Sequence, residues 1–202
     1  MGRRIVALPA IAPYPLPTAG DLPANRVGWT FDPDRAVLLV HDMQNYFLAP
    51  YAGDPIPQVV DTINELRALG LPTVFTAQPA DQDPAERRLL TDFWGPGPTG
   101  DVSVPAGLAP APGDTVLTKW RYSAFVRTEL AELLGDRDQL VVTGIYGHIG
   151  VQATAVDAFM RDIQVFVVAD GIADFSAGHH RDALAYLAGR CARVVTAKEL
   201  TG

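Results

Sequence analysis

The chain has 202 residues, 48% of them apolar and 19% charged, which is enough for one sizeable core and ordinary for a globular protein. Its net charge of −7 excludes the basic footprint of a general nucleic-acid binder, and no apolar run approaches the roughly 20 residues that span a bilayer. A single cysteine, Cys191, excludes an internal disulfide and fits a reducing compartment, so a cytoplasmic protein with no nucleic-acid or membrane partner is expected.

Residues 1–30 are proline-rich. The opening MGRRIVALPAIAPYPLP carries two early arginines, but Pro9, Pro13, Pro15 and Pro17 interrupt it. It reads as an irregular arm lying on the domain rather than a signal peptide. Short apolar runs then alternate with amphipathic segments. The runs are AVLLV at 36–40, PTVFT at 72–76, TVLT at 115–118, LVVT at 140–143, VFVVA at 165–169 and RVVT at 193–196. Short, β-branched runs without apolar–polar alternation suit buried parallel strands.

Helical spacing lies between them. Val59, Ile63 and Leu66 share a face, and Gly70 supplies a stop. Val126, Leu130, Leu133 and Leu134 repeat the pattern before Gly135. Val156, Phe159, Met160 and Ile163 form an apolar stripe, with Asp157 and Arg161 paired on another side. Ser176 is placed to cap a last helix, whose stripe is Leu184, Leu187, Ala188 and Cys191. Segment 95–114, rich in Gly and Pro, reads as a long surface loop. The alternation predicts a single α/β domain over 1–202, a three-layer αβα sandwich around a mostly parallel, about six-stranded Rossmann-like sheet.

Open parallel sheets bind ligands at the carboxyl ends of their strands. Asp42 follows the first run, Gln78 the second and Lys119 the third, and the fourth leads into GIYGHIG at 144–150. An acid, an amide, a base and a glycine turn thus converge on one edge. Burial would raise the Asp42 pKa and a nearby Lys119 would lower it. On position alone, Asp42 reads equally as a strand-end cap and Lys119 as a solvated lysine, while Gln78 reads more readily as a group satisfying loop backbone than as a substrate contact. GIYGHIG is not a dinucleotide fingerprint, yet free N–H groups at the helix start behind it would hold an anion or oxyanion. His148 there is either titrating or structural. His179 and His180 are adjacent and face different ways, so no metal site is expected. Cys191 on an apolar stripe reads as a small core residue.

The segments HDMQNYF, TAQP, DFWGPG, LTKWRYSAF, GIYGHIG and VDAFMRDIQVFVVADGIADFS together resemble the isochorismatase-like hydrolases, over nearly the whole chain. Within that family the closest resemblance is to phenazine-pathway enzymes acting on 2-amino-2-deoxyisochorismate, then to true isochorismatases. The resemblance implies an isochorismatase-type fold and hydrolysis of an enolpyruvyl ether to pyruvate, with no cofactor or metal. It implies an anionic, chorismate-derived substrate, a homodimer, and a role in secondary-metabolite or antibiotic biosynthesis. Some relatives carry an appended carrier domain, and none is expected here. Amidases of the superfamily place a cysteine nucleophile where this chain has Val151, which points to the cysteine-independent branch.

By the same resemblance Asp42 is the proton donor and Lys119 its catalytic partner. Gln78, Arg87 and Lys119 then contact the substrate, and Tyr146 and Gly150 line its binding site, with Trp94 and Phe47 as walls. Arg87 and Arg88 face different ways on a helix, and the resemblance selects Arg87 as the inward one. The isochorismate and 2-amino substrates remain alternatives, as do a non-catalytic scaffold and an amidase built on Ser123 or Ser176. The last is disfavoured because neither serine sits in a nucleophile-elbow context.

Overall fold

The computed structural model describes residues 8–202; the early arginines of the expected arm lie outside the described residues. Six strands form one sheet in the order β3-β2-β1-β4-β5-β6. They are β1 (Ala36–His41), β2 (Thr73–Ala77), β3 (Thr115–Thr118), β4 (Gln139–Ile145), β5 (Gln164–Ala173) and β6 (Arg193–Val195). Every pairing is parallel. Beside or between the strands lie α1 (Asn45–Leu48), α2 (Ile56–Arg67), α3 (Pro84–Arg87), α4 (Leu90–Trp94), α5 (Leu130–Leu134), α6 (Gln152–Phe159), α7 (Ala177–Arg190) and α8 (Ala197–Thr201).

The central strands are apolar throughout because both faces are covered. Val37, Leu39, Leu140, Val142, Val165 and Val167 pack with residues of α5, α6 and α7. Ala36, Leu38, Val40, Val141, Phe166 and Val168 pack with α2, α8 and the arm residues Ile11 and Tyr14. Ile11 and Tyr14 of the arm are thus buried on the domain, with an Ile11–Tyr51 bridge. Helix α2 buries Val59, Ile63 and Leu66, and Gly70 at φ +73° ends the turn behind it. Segment 95–114 is irregular apart from one short turn at Ala106–Leu108.

Two helical faces differ from the sequence expectation. In α6 the buried residues are Thr154, Ala155 and Ala158. Phe159 and Met160, half of the apolar stripe, are 42% and 74% exposed. Small residues let α6 approach the sheet closely, and the larger ones fall where the helix is already ending. Helix α5 is also shorter than the spacing suggested: Leu130 and Leu134 are buried, while Val126 precedes it and, like Leu133, is over a third exposed. The Asp157–Arg161 pair forms as expected, at 2.8 Å.

The strand order reverses direction between β1 and β4, the topological switch point at which open sheets form their crevice. The two strands are in register from Ala36↔Gln139 to His41↔Gly144. Gly144 has φ +99°, and a Cβ there would lie 2.2 Å from the His41 carbonyl oxygen. Only glycine lets β4 pass β1 at this point. Gly144→Ala is expected to destabilise the protein by more than about 3 kcal/mol in urea denaturation, since backbone strain and an unrelievable overlap combine. Gly189→Ala in α7, with nothing within 4 Å of the added methyl, is expected to raise stability by about 0.5–1 kcal/mol.

Candidate active site

Asp42 is the first residue past β1 and has φ +51°. Aspartate tolerates this left-handed conformation better than most residues, at a cost of order 1–3 kcal/mol. The turn aims the carboxylate across the end of β2 toward β3. Oδ1 accepts a 2.6 Å hydrogen bond from the Thr76 hydroxyl. Oδ2 accepts from Lys119 Nζ at 2.8 Å and from Gln78 Nε2 at 3.0 Å. The Asp42 N–H donates back to Thr76 Oγ1 at 3.1 Å. Three neighbouring strand ends thus bring a hydroxyl, an amide and an ammonium to one buried carboxylate, 5% exposed, with Lys119 at 1%.

Burial alone pushes the Asp42 pKa up. Lys119, then His41 and the hydrogen bonds from Lys119 and Thr76, outweigh that and hold it below the ordinary carboxylate value. The free site therefore carries an ionised Asp42 at neutral pH. His41 is fully buried, with Nδ1 2.8 Å from the Ile145 carbonyl oxygen. A carbonyl only accepts, so Nδ1 carries the proton. Burial brings the His41 pKa down to about 4, which keeps the ring neutral.

These groups line a cavity of about 210 Å³ at the switch point, against roughly 10–15 Å³ for one water. Its lining includes the eight residues that the family resemblance assigned to the site: Asp42, Phe47, Gln78, Arg87, Trp94, Lys119, Tyr146 and Gly150. Arg87 turns inward and is 3% exposed, donating from Nε to the Gly95 carbonyl at 2.7 Å and from Nη1 to Gln82 Oε1 at 3.1 Å. Gly97, at φ +94°, packs on this guanidinium: a Cβ there would sit 2.5 Å from Nη1. Trp94 Nε1 donates to the Tyr122 hydroxyl at 2.6 Å. The Tyr146 hydroxyl donates to the Phe47 carbonyl at 2.6 Å, and burial raises its pKa. Gly150 makes room for His41, whose Cε1 would lie 2.2 Å from an added Cβ.

Other positions settle differently. The glycine turn is less open to an anion than expected. The His148 N–H is taken by Asp174 Oδ2 at 2.7 Å, and those of Ile149 and Val151 by the Tyr146 carbonyl at 3.1 and 3.3 Å. His148 Nδ1 is bound to the same carboxylate, which favours its structural reading. His179 meets the capping Ser176, while His180 is buried against Ala169 and Tyr14. Ser123 donates to Asp157 and Ser176 caps α7. Neither serine lines the cavity. Val151 is a core residue, and Cys191 is buried near the end of α7 with its thiol pushed up to about 11.

Sequence reading missed three contributors. Thr76 and His41 surround Asp42. Gln44 brackets the Gln78 backbone, donating to its carbonyl at 2.9 Å and accepting from its N–H at 2.7 Å. The signal available was proximity to the strand ends, because Thr76 is two residues before Gln78 and His41 is next to Asp42.

The family profile described as isochorismatase domain matches residues 36–199. The isochorismatase of Bacillus subtilis (strain 168) is 51% identical, over 96% of this chain and 66% of its own length. The phenazine biosynthesis protein PhzD of Pseudomonas fluorescens is 50% identical, over 97% of this chain and 99% of its own. Among solved structures, the cysteine hydrolase of Pseudomonas syringae pv. phaseolicola 1448A superposes with a TM-score of 0.77 at 25% identity, covering 89% of this chain and 95% of that one.

Replacing Lys119 by methionine leaves burial of Asp42 unopposed by its nearest cation, so the Asp42 pKa rises above its unfolded value. In the wild type the depressed pKa contributes stability that is present above the unfolded pKa, near ~4, and lost as pH falls through the folded one. In Lys119→Met the sign reverses: stability is retained below the unfolded pKa and lost as pH rises through the raised folded pKa. Thermal unfolding from pH 4 to 8 is expected to show the variant's deficit growing with pH toward about 3–5 kcal/mol, the usual cost of orphaning a buried charge. A deficit independent of pH would contradict this.

Proposed function

The chain belongs to the isochorismatase family, and on that premise we propose that it hydrolyses the enolpyruvyl ether of isochorismate or of 2-amino-2-deoxyisochorismate. The products are pyruvate and a dihydroaromatic alcohol. The observation that carries this reading is the isolated carboxyl group of Asp42, aimed into a small-molecule cavity by Thr76, Gln78 and Lys119. No cysteine lines that cavity. The reaction is proposed to need no metal or other cofactor.

The terminal methylene of an enolpyruvyl ether is electron-rich. In the proposed mechanism Asp42, protonated, delivers its proton to that carbon, and the ether carbon becomes an oxocarbenium ion. Water adds to it and loses a proton, and the hemiketal collapses with C–O cleavage to pyruvate and the ring alcohol. Lys119 orients Asp42 and balances its charge after transfer. Gln78 and Arg87 engage polar groups of the substrate, with Tyr146, Gly150, Trp94 and Phe47 shaping the space around the ring. General acid catalysis contributes about 10²–10⁴, and the remainder comes from positioning and electrostatics.

The relative named for phenazine biosynthesis supports a place in secondary metabolism. We place the protein in the cytoplasm as a homodimer, in keeping with its family. Exposed Phe159 and Met160 offer apolar surface for a second copy, and no helix among the described residues is long and apolar enough to cross a membrane.

Two measurements test the reading. Wild type mixed with either substrate is expected to release pyruvate in a lactate dehydrogenase couple, and Asp42→Asn to lose at least about 10²-fold in kcat. Absence of pyruvate with both substrates would overturn the assignment. The pH profiles add a sharper condition. A resting Asp42 held ionised by Lys119 must regain a proton when substrate carboxylates enter. The falling limb of kcat, which reports the complex, is expected at higher pH than that of kcat/KM, which reports the free enzyme. Coincident limbs would contradict it.

A further inference from the structure

An enolpyruvyl ether of this class carries two carboxylates, one on the ring and one on the side chain. Among the described residues, the charged side chains lining the cavity are Asp42, Arg87, Lys119 and Arg121. Asp42 and Lys119 neutralise each other at 2.8 Å. Two guanidiniums are left, and among the described residues neither is in an ion pair. Arg87 bonds only a carbonyl and an amide oxygen. Arg121 donates from Nη1 to its neighbour's carbonyl, Trp120, at 2.6 Å and from Nη2 to the Glu86 carbonyl at 3.1 Å. The Glu86 carboxylate is engaged by Arg127.

A guanidinium anchored by neutral oxygens is fixed in place with its charge uncompensated. Arg87 and Arg121 also oppose one another: burial first, and the Arg121 charge in addition, weaken proton binding by Arg87. Two like charges held at one cavity repel one another, and a dianion relieves that repulsion on entry. We infer that Arg121 is a second carboxylate anchor of this cavity, so that Arg87 and Arg121 each take one carboxylate of a dianionic ligand. This rests on the enolpyruvyl-ether reading and adds to it a residue that sequence comparison of strand ends did not select. Arg121 is suited to the task because its planar fork accepts a carboxylate in a fixed orientation.

The test uses 3-(1-carboxyethoxy)benzoate, an unreactive dicarboxylate of the same outline, and its two monoamides, titrated calorimetrically into wild type and Arg121→Gln. Loss of one charge-assisted bond corresponds to about 10–100-fold in affinity. The dicarboxylate and the monoamide keeping the Arg121-bound carboxylate should both weaken by that factor, while the other monoamide binds wild type and variant alike. Equal weakening of all three ligands, or of none, overturns the inference, as does failure of wild type to prefer the dicarboxylate over both monoamides. Arg121→Lys keeps the charge without the fork and should retain the preference for the dicarboxylate; its loss there, with the fold intact by circular dichroism, also counts against the anchor. Pyruvate release by wild type is measured separately, so failure of the anchor and failure of the reaction class are distinguished.

Discussion

The Asp42–Lys119 pair is the interaction around which the rest of the site is arranged. The two residues are 77 positions apart and stand at the ends of β1 and β3, with β2 between them. Bringing them to 2.8 Å requires the parallel register of three strands, and β2 fills the gap with Thr76 and Gln78. A buried ion pair adds little to stability on balance, because desolvation offsets attraction. The fold must therefore be held elsewhere, and it is: both faces of the central strands are sealed by apolar packing. The sheet edge is free to carry an unfavourable φ at Asp42 and a desolvated charge pair because the core does not depend on them.

The second constraint is close approach. Gly144 lets β4 pass the His41 backbone, and Gly150 leaves room for the His41 ring. His41, neutral and buried, binds the Ile145 carbonyl and so fixes the start of the turn that closes the cavity. One histidine thereby sets the distance between the acid after β1 and the wall after β4. Across the cavity Gly97 does the same for Arg87, whose guanidinium passes where a Cβ would sit. In each case a neighbour's bulk demands a glycine, and at Gly144 and Gly97 a positive φ demands it as well.

Much of this was legible in sequence, for a physical reason. Buried parallel strands cannot alternate, so AVLLV and VFVVA announce themselves, and ligand chemistry in open sheets collects at their carboxyl ends. Asp42, Gln78 and Lys119 could be read as candidates from that rule alone. The pairing among them could not, because register between strands is a tertiary property. Thr76 was hidden inside an apolar run, where threonine also serves as a good strand former. The faces of α6 were misjudged because spacing weighs large apolar residues most. Ala155 and Ala158 pack closely and contribute the contact, while Phe159 and Met160 stand outside. The glycine turn looked like an anion cradle until Asp174, remote in sequence, was seen to occupy the His148 N–H.

In the proposed reaction the proton donor rests ionised, which looks self-defeating, and the arrangement around Asp42 gives a reason for it. Each unit by which Lys119 and its neighbours depress the pKa is about 1.4 kcal/mol that must be recovered before transfer. In a cavity whose remaining cations are unpaired, the free energy for recovery is supplied by the ligand. A dianion that engages Arg87 and Arg121 brings negative charge beside Asp42 and opposes the field of Lys119. The acid is then charged with a proton only when an anion of the right valence is in place. A neutral vinyl ether of the same shape would bind without raising that pKa, and selectivity would lie in protonation as well as in contact. The same charge balance limits what the site can become by substitution. Removing Lys119 would raise the Asp42 pKa and favour the protonated donor, but at the cost of the partner that receives the carboxylate once the proton has gone.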